Sequence, residues 1–309
     1  QITKEVPELN KFECEIDTFS FESPLDSSNM NPEIWVQIAE IIEDKYALYD
    51  GFVVLHGSDT MAFTASALSF MLHGLNKPVI LTGSQLPIGT IRTDGKENLI
   101  TAIEIAAAKK ANNPLVPEVA IYFEYNLYRG NRTTKLNSED FEAFDSFNYP
   151  LLAEAGIKIK YNTRNILDLD AESKLNVFKV FDKNVASLKL FPGITKEFVT
   201  HFMKTPSLKA IVLETFGSGN AMSEEWFLSL LKQAIDKGIV IVNVTQCKRG
   251  SVDQAKYETG NGLEAIGVIS GGDITFEAAI TKLMLLLGGK TITEKIKTKF
   301  LSPFCGEIS

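Results

Sequence analysis

Ser58, Asp59 and Thr60 place two hydroxyls and a carboxylate in a row, directly behind His56 and Gly57. A hydroxyl and a carboxylate joined by a lysine form a proton-handling set that can support attack on an amide, because the lysine eases proton transfer at the hydroxyl. The competing role is structural. Ser and Asp are common helix N-caps, worth about 1 kcal/mol, and on spacing alone capping is the commoner use. A second polar segment, Thr82-Gly83-Ser84-Gln85, reads as an ordinary strand exit, and its interest lies in its nearness to the first. The eight residues from Tyr128 to Lys135 carry Arg129, Arg132 and Lys135, a density of charge that usually marks a solvated loop. Whether Lys135 reaches Asp59 is left open by spacing.

The elements around these segments have a definite pattern. Gly51-Phe52-Val53-Val54-Leu55 is a continuous apolar run, expected as a strand buried on both faces, with Gly57 giving a tight exit. Met61 to His73 has Phe63, Ala67, Phe70 and Met71 at helical spacing, so an amphipathic helix is expected. Lys77 to Leu81 is a second buried strand, Asn98 to Lys109 a helix, and Val119 to Phe123 a third strand. This alternation predicts a parallel sheet with right-handed crossovers, whose ligands bind at the carboxyl ends of the strands. Residues 153–184 turn polar and irregular, and their end is read as an inter-domain connection. Beyond it, Val185 to Leu190, Ala210 to Leu213 and Ile239 to Val242 read as strands, with helices over Trp226 to Asp236 and Phe276 to Leu287. The predicted domains are 1–184 and 185–309, the second large enough for its own core. The fold class is α/β, with a larger N-terminal parallel-sheet domain and a smaller C-terminal flavodoxin-like parallel domain.

Bulk properties exclude several classes. A length of 309 residues favours two domains, and 45% hydrophobic with 23% charged residues is ordinary for a globular protein. The formal net charge of −8 gives no footprint for nucleic acid or an anionic membrane. No apolar run nears the ~18 residues that a membrane span needs. Cys14, Cys247 and Cys305 are too few and too scattered for a disulfide framework or a zinc site. That scarcity points to the cytoplasm, and no signal peptide is visible. The chain starts at Gln1 and not at Met, so residues upstream are expected. Structural roles are expected for His56, His73 and His201, for Cys247 as a small buried hydrophobe, for Arg92 and Asp94 as loop partners, and for Asp273 as the cap of the Phe276 helix.

At Tyr49 to Met61, Thr64 to Leu72, Lys77 to Gln85, Leu127 to Lys135, Gly217 to Ala221 and Val244 to Cys247 the chain resembles the bacterial L-asparaginases, in particular the cytoplasmic type I branch. The segment from His56 to Met61 is a highly specific signature, and the resemblance runs along the whole chain in order. It implies hydrolysis of L-asparagine to L-aspartate and ammonia, without metal or organic cofactor, by a homodimer or homotetramer. By motif, Asp59 and Lys135 match the family's aspartate and lysine, and Ser58 takes the place of the usual threonine hydroxyl. Ser27 and Ser28 match the loop that holds the substrate's α-amino and α-carboxylate groups. Ser84 falls where a backbone group lies beside the scissile amide, and Asn220 where a residue reaches a neighbouring subunit's site. The family's nucleophilic threonine lies in a TGGTIG-like segment that these residues do not include; it is expected in the natural protein. The resemblance leaves room for glutaminase side activity, for the amidase subunit of a transfer-RNA-dependent amidotransferase, and for a non-catalytic relative that binds asparagine or aspartate.

Overall fold

Runs of Val, Ile and Leu bounded by Gly and polar turns form the strands of two compact units, Gln1–Lys179 and Val180–Ser309. The structure is a computed structural model that describes residues 5–170, 172–254, 258–289 and 293–309. In the first unit, β1 (Phe52–Leu55), β2 (Val79–Thr82) and β3 (Val119–Phe123) pair in parallel, with Val53 opposite Ile80 and Leu81 opposite Ile121. The sheet is not parallel throughout. After β3 the chain reverses at Glu124 and Tyr125, whose φ angles of 43° and 67° make a two-residue hairpin of the kind that suits strand twist. Strand β4 (Asn126–Arg129) therefore runs antiparallel to β3. Strands β5 (Ala153–Ala155) and β6 (Ile159–Tyr161) extend the antiparallel part, in the stretch read as irregular.

Helix α1 (Pro32–Lys45) starts at Asn31, whose side chain accepts from the Ile34 amide, and buries Ile34, Trp35, Ile38 and Ile42 along one face. Its apolar residues recur with the 3.6-residue period of a helix. Helix α2 (Met61–Met71) is buried nearly all round and not amphipathic, because Ala62, Thr64, Ala65, Ser66 and Leu68 are inside as well. Helix α3 is Gly95–Ala107. Strand β1 departs from expectation in the other direction. Phe52, Val53 and Val54 are half-buried and Leu55 is exposed, since β1 is an edge strand of its sheet among the described residues.

The basic loop after β4 is not solvated. Arg129 and Arg132 are buried, at 4% and 2% exposure. Arg129 Nε donates to Glu118 Oε2 at 2.7 Å and its Nη2 to the Asn165 carbonyl at 2.8 Å, while both guanidinium groups lie over the Tyr149 ring. Glu118 also accepts from the Leu167 amide at 2.8 Å. Burial pushes the Glu118 pKa up against the pull of Arg129, while burial of Arg129 is outweighed by Glu118, which keeps the guanidinium charged.

In the second unit β7 (Val185–Lys189), β8 (Ala210–Thr215), β9 (Val240–Thr245) and β10 (Ile269–Ser270) are parallel and adjacent in chain order. Leu188, Ile211, Leu213 and Ile241 of the sheet pack with Val199 of α4 (Lys196–Met203) and with Phe227 and Leu231 of α5 (Glu225–Asp236). Helix α6 (Phe276–Gly288) is capped by Thr275, which accepts from the Ala278 amide at 3.1 Å. Asp273, expected as that cap, accepts from the Ser309 amide at 2.9 Å. Cys247, expected to be buried, is exposed in the turn beyond β9. The fully buried Lys282 of α6 is ion-paired with Glu307 and donates to the Phe300 carbonyl at 2.6 Å, fixing the chain end.

Removing one partner of the Arg129–Glu118 pair leaves an uncompensated buried charge. Arg129→Met should lower the stability of the first unit by about 3–5 kcal/mol. Urea unfolding followed by Trp35 fluorescence, with Trp226 replaced by Phe to silence the second unit, measures this; an unchanged midpoint would refute it.

Candidate active site

Strands β1 and β2 leave the sheet side by side. The His56 amide donates to the Thr82 carbonyl at 2.9 Å, and a methyl group on Gly83 would lie 2.1 Å from the His56 carbonyl oxygen. The two exits can run this close only because residue 83 has no side chain. Gly57 has the same kind of reason. Its φ is an ordinary −68°, but a Cβ there would lie 2.6 Å from Ser27 Oγ. Gly57 is therefore a space requirement and not a conformational one, and it lets the turn Ser27–Asn29 dock against Ser58–Thr60. Thr60 Oγ1 donates to the Ser27 carbonyl at 2.7 Å and ties the two turns together.

Neither Ser58 nor Asp59 caps a helix; no side-chain cap is made by them at the start of α2. Both instead meet Lys135. Its Nζ donates to Ser58 Oγ at 2.9 Å and to Asp59 Oδ1 at 2.7 Å. Lys135 sits in a two-residue ladder, Thr134–Lys135 against Phe144–Asp145, just after the buried turn Gly130–Arg132. That turn is held by the arginines described above and by Thr133 Oγ1, which donates to the Arg129 carbonyl at 2.6 Å. The lysine side chain is 18% exposed and that of Asp59 is 65% exposed. So open a pair contributes at most about 1 kcal/mol to stability. The arrangement is thus not explained as a fold-stabilising contact. Ser58 Oγ also donates to Gln85 Oε1 at 2.8 Å, which brings the β2 exit into the same cluster.

The β2 exit is shaped by Asp94. Its carboxylate accepts from the Gln85 amide at 2.8 Å, the Leu86 amide at 3.1 Å and Asn98 Nδ2 at 3.2 Å. Asn98, fully buried, donates to the Gly83 carbonyl at 3.0 Å and accepts from the Glu124 amide at 3.1 Å. One residue of α3 thus braces both the site turn and the β3–β4 hairpin. Ser84 lies between these contacts, against Gly95.

Ser27 is buried, and Ser28 donates its amide and hydroxyl to Asp26 Oδ1 at 2.9 and 2.8 Å. These bonds hold the Asp26 carboxyl below its ordinary value. Asn220 belongs to the second unit, where it and Phe216 exchange backbone bonds of 2.8 and 2.9 Å in the turn after β8. His56 has a structural position. Its Nδ1 contacts the Gly57 carbonyl at 2.7 Å and must carry the proton, and its Nε2 then accepts from Thr64 Oγ1 at 2.9 Å. Thr64 in turn accepts from Trp35 Nε1 at 2.9 Å. Burial pushes the imidazole pKa down against the pull of the Gly57 carbonyl, so the ring is neutral.

Gln85 and Asn98 carry no role in the sequence reading, and Asp94 appears there only as a loop partner. An Asp four residues before an Asn at a helix start was the available signal. Among the described residues no group of three or more His, Cys, Asp or Glu is arranged to hold a metal ion.

Comparison with known proteins adds to this geometry. Residues 1–167 match the family model described as Asparaginase, N-terminal, and residues 184–300 that of the Glutaminase/Asparaginase C-terminal domain. L-asparaginase 1 of Escherichia coli strain K12 is 45% identical over 306 residues, covering 98% of this chain and 88% of that protein. The crystal structure of L-asparaginase I from Vibrio cholerae superposes with a TM-score of 0.85 at 42% identity, over 92% of this chain and 84% of that one. The thermostable L-asparaginase from Thermococcus kodakarensis gives 0.91 at 32% identity, over 100% and 90%.

The buried neutral His56 has a pH consequence. Its folded pKa is lowered, so the unfolded chain binds the proton first as pH falls. The stability it contributes is full above the unfolded value of about 6.5 and declines as pH drops toward the folded value. Unfolding free energies measured between pH 7 and 5 should show this slope, and His56→Gln should flatten it; an identical slope in the variant would refute the assignment.

Proposed function

The chain belongs to the asparaginase family, and we propose that Ser58, Asp59 and Lys135 handle the protons as it hydrolyses L-asparagine to L-aspartate and ammonia. The observation that carries this reading is the meeting of Lys135 Nζ with both Ser58 Oγ and Asp59 Oδ1 at the carboxyl ends of β1 and β2. Asp59 holds the ammonium in place. Lys135 presents a donor to Ser58, and the lone pair that Ser58 keeps accepts a hydrogen bond from the reacting group and orients it.

In the reaction a hydroxyl oxygen attacks the side-chain carbonyl carbon and displaces the amide nitrogen, which leaves as ammonia after gaining a proton. Water then attacks the resulting ester, releases aspartate and restores the hydroxyl. We assign the attacking hydroxyl to a threonine of a TGGTIG-like segment, which lies outside these 309 residues. Oxyanion stabilisation falls to backbone N–H groups beside Ser58 or at Ser84 itself, because the Gln85 and Leu86 amides already donate to Asp94. Each such donor is worth about 3 kcal/mol in the transition state.

Ser27 and Ser28 hold the α-amino and α-carboxylate groups in this reading, and the docking of their turn on Ser58–Thr60 supports it. No described helix is long and apolar enough to cross a membrane. We place the enzyme in the cytoplasm as a homodimer or homotetramer, with Asn220 reaching a neighbouring subunit's site.

Ammonia release from L-asparagine by the full-length natural protein tests the activity. Lys135→Met should lower kcat by about 10²–10⁴-fold while the melting temperature stays near that of the parent. Full activity in a folded Lys135→Met variant would refute the role of the lysine.

A further inference from the structure

We propose that Gln85 is the positioning residue of the Ser58 hydroxyl, fixing its rotamer where the methyl of a threonine would otherwise do so. The inference rests on the role of Ser58 proposed above. A serine hydroxyl has one proton and two lone pairs, and its χ1 can occupy three staggered wells. A threonine at the same place is stiffer, because its second branch on Cβ restricts χ1. Ser58 lacks that branch, yet its oxygen is held from two sides. Lys135 Nζ donates to it at 2.9 Å, and it donates to Gln85 Oε1 at 2.8 Å.

The orientation of the Gln85 amide follows from its other partner. Gln85 Nε2 donates to the Asp140 carbonyl at 3.1 Å, and a carbonyl can only accept. The amide oxygen must therefore face Ser58. The backbone of Gln85 is clamped as well, since its amide donates to Asp94 Oδ2 at 2.8 Å. Anchors at both ends of Gln85 make its amide oxygen a fixed point, and a fixed acceptor selects one rotamer for Ser58. Lys135 alone does not, because any of its three N–H groups can meet the oxygen in more than one well. Gln85 is half-buried in a surface turn and so tolerates replacement.

Gln85→Met keeps the length of the side chain and removes both amide groups. Steady-state kinetics with L-asparagine and melting temperatures would be measured for the parent, Gln85→Met, Ser58→Thr and the double variant. Loss of one positioning hydrogen bond should lower kcat about tenfold in the Ser58 parent, with KM changed by less than about twofold. In the Ser58→Thr background the same replacement should cost less than about twofold, since the methyl supplies the restraint. Equal losses in both backgrounds, a rise in KM with kcat unchanged, or no loss at all would each overturn the proposal. A crystal structure of Gln85→Met gives a readout independent of turnover: Ser58 should occupy more than one χ1 well, and a single unchanged rotamer would overturn the proposal. If the parent releases no ammonia from asparagine, the asparaginase reading falls, and the rotamer measurement still decides the role of Gln85.

Discussion

A methyl group on Gly83 would sit 2.1 Å from the His56 carbonyl oxygen, and the site can form only while that contact stays bare. Here the absence of a Cβ at 83 lets the β1 and β2 exits lie close together just beyond the ladder, which ends with the His56 amide on the Thr82 carbonyl. Gly57 does the same service on the other side, where Ser27 fills the space a side chain would take. Three chain segments far apart in sequence thereby come together on two glycines, and Ser58, Gln85 and Ser27 lie on those segments. The glycines do not act through unusual torsion angles at this point. They act by leaving room.

Charge is used in two different ways on either side of this contact. Behind the site, Arg129 and Glu118 are both sealed from water, and each is satisfied by the other and by backbone groups. Such a pair stabilises little against an apolar alternative, but it ties β4 and the following turn to one arrangement, because any shift would strand a charge. At the front, Lys135 and Asp59 are partly open to water, so their attraction adds little to stability. Rigid buried charge supports a lysine that remains chemically available.

Much of this was legible in residue order, and the exceptions have physical causes. Val119 to Phe123 folds as a strand with the limits read from its apolar run, since both faces are covered and every residue is alike. The hairpin after it was invisible because Glu124 and Tyr125 adopt positive φ without glycine or asparagine; Asn98, distant in sequence, supplies the hydrogen bond that holds the turn. Arg129 and Arg132 were misread for a related reason. Charge in a short loop signals solvent only until a partner such as Glu118 or Tyr149 is brought from elsewhere, and no local pattern announces that. Ser58 and Asp59 could be singled out by type but not freed from the capping alternative. Only the position of Lys135 distinguishes the two, and that depends on the buried turn that precedes it.

The hydrogen-bond inventory of the cluster carries the argument one step further. Lys135 has three N–H donors, of which Ser58 and Asp59 take two. Ser58 Oγ gives its proton to Gln85 and one lone pair to Lys135, which leaves one lone pair. Lys135 and Ser58 thus retain one donor and one acceptor on neighbouring atoms. That is the complement of a reacting hydroxyl or water, which must lose a proton at one stage and be handed one at another. Glu118 and Arg129, both sealed from water, have no such freedom, since each must find its partners inside the protein. Lys135 and Ser58 keep a pair open, at the one place where the glycines bring the loops together.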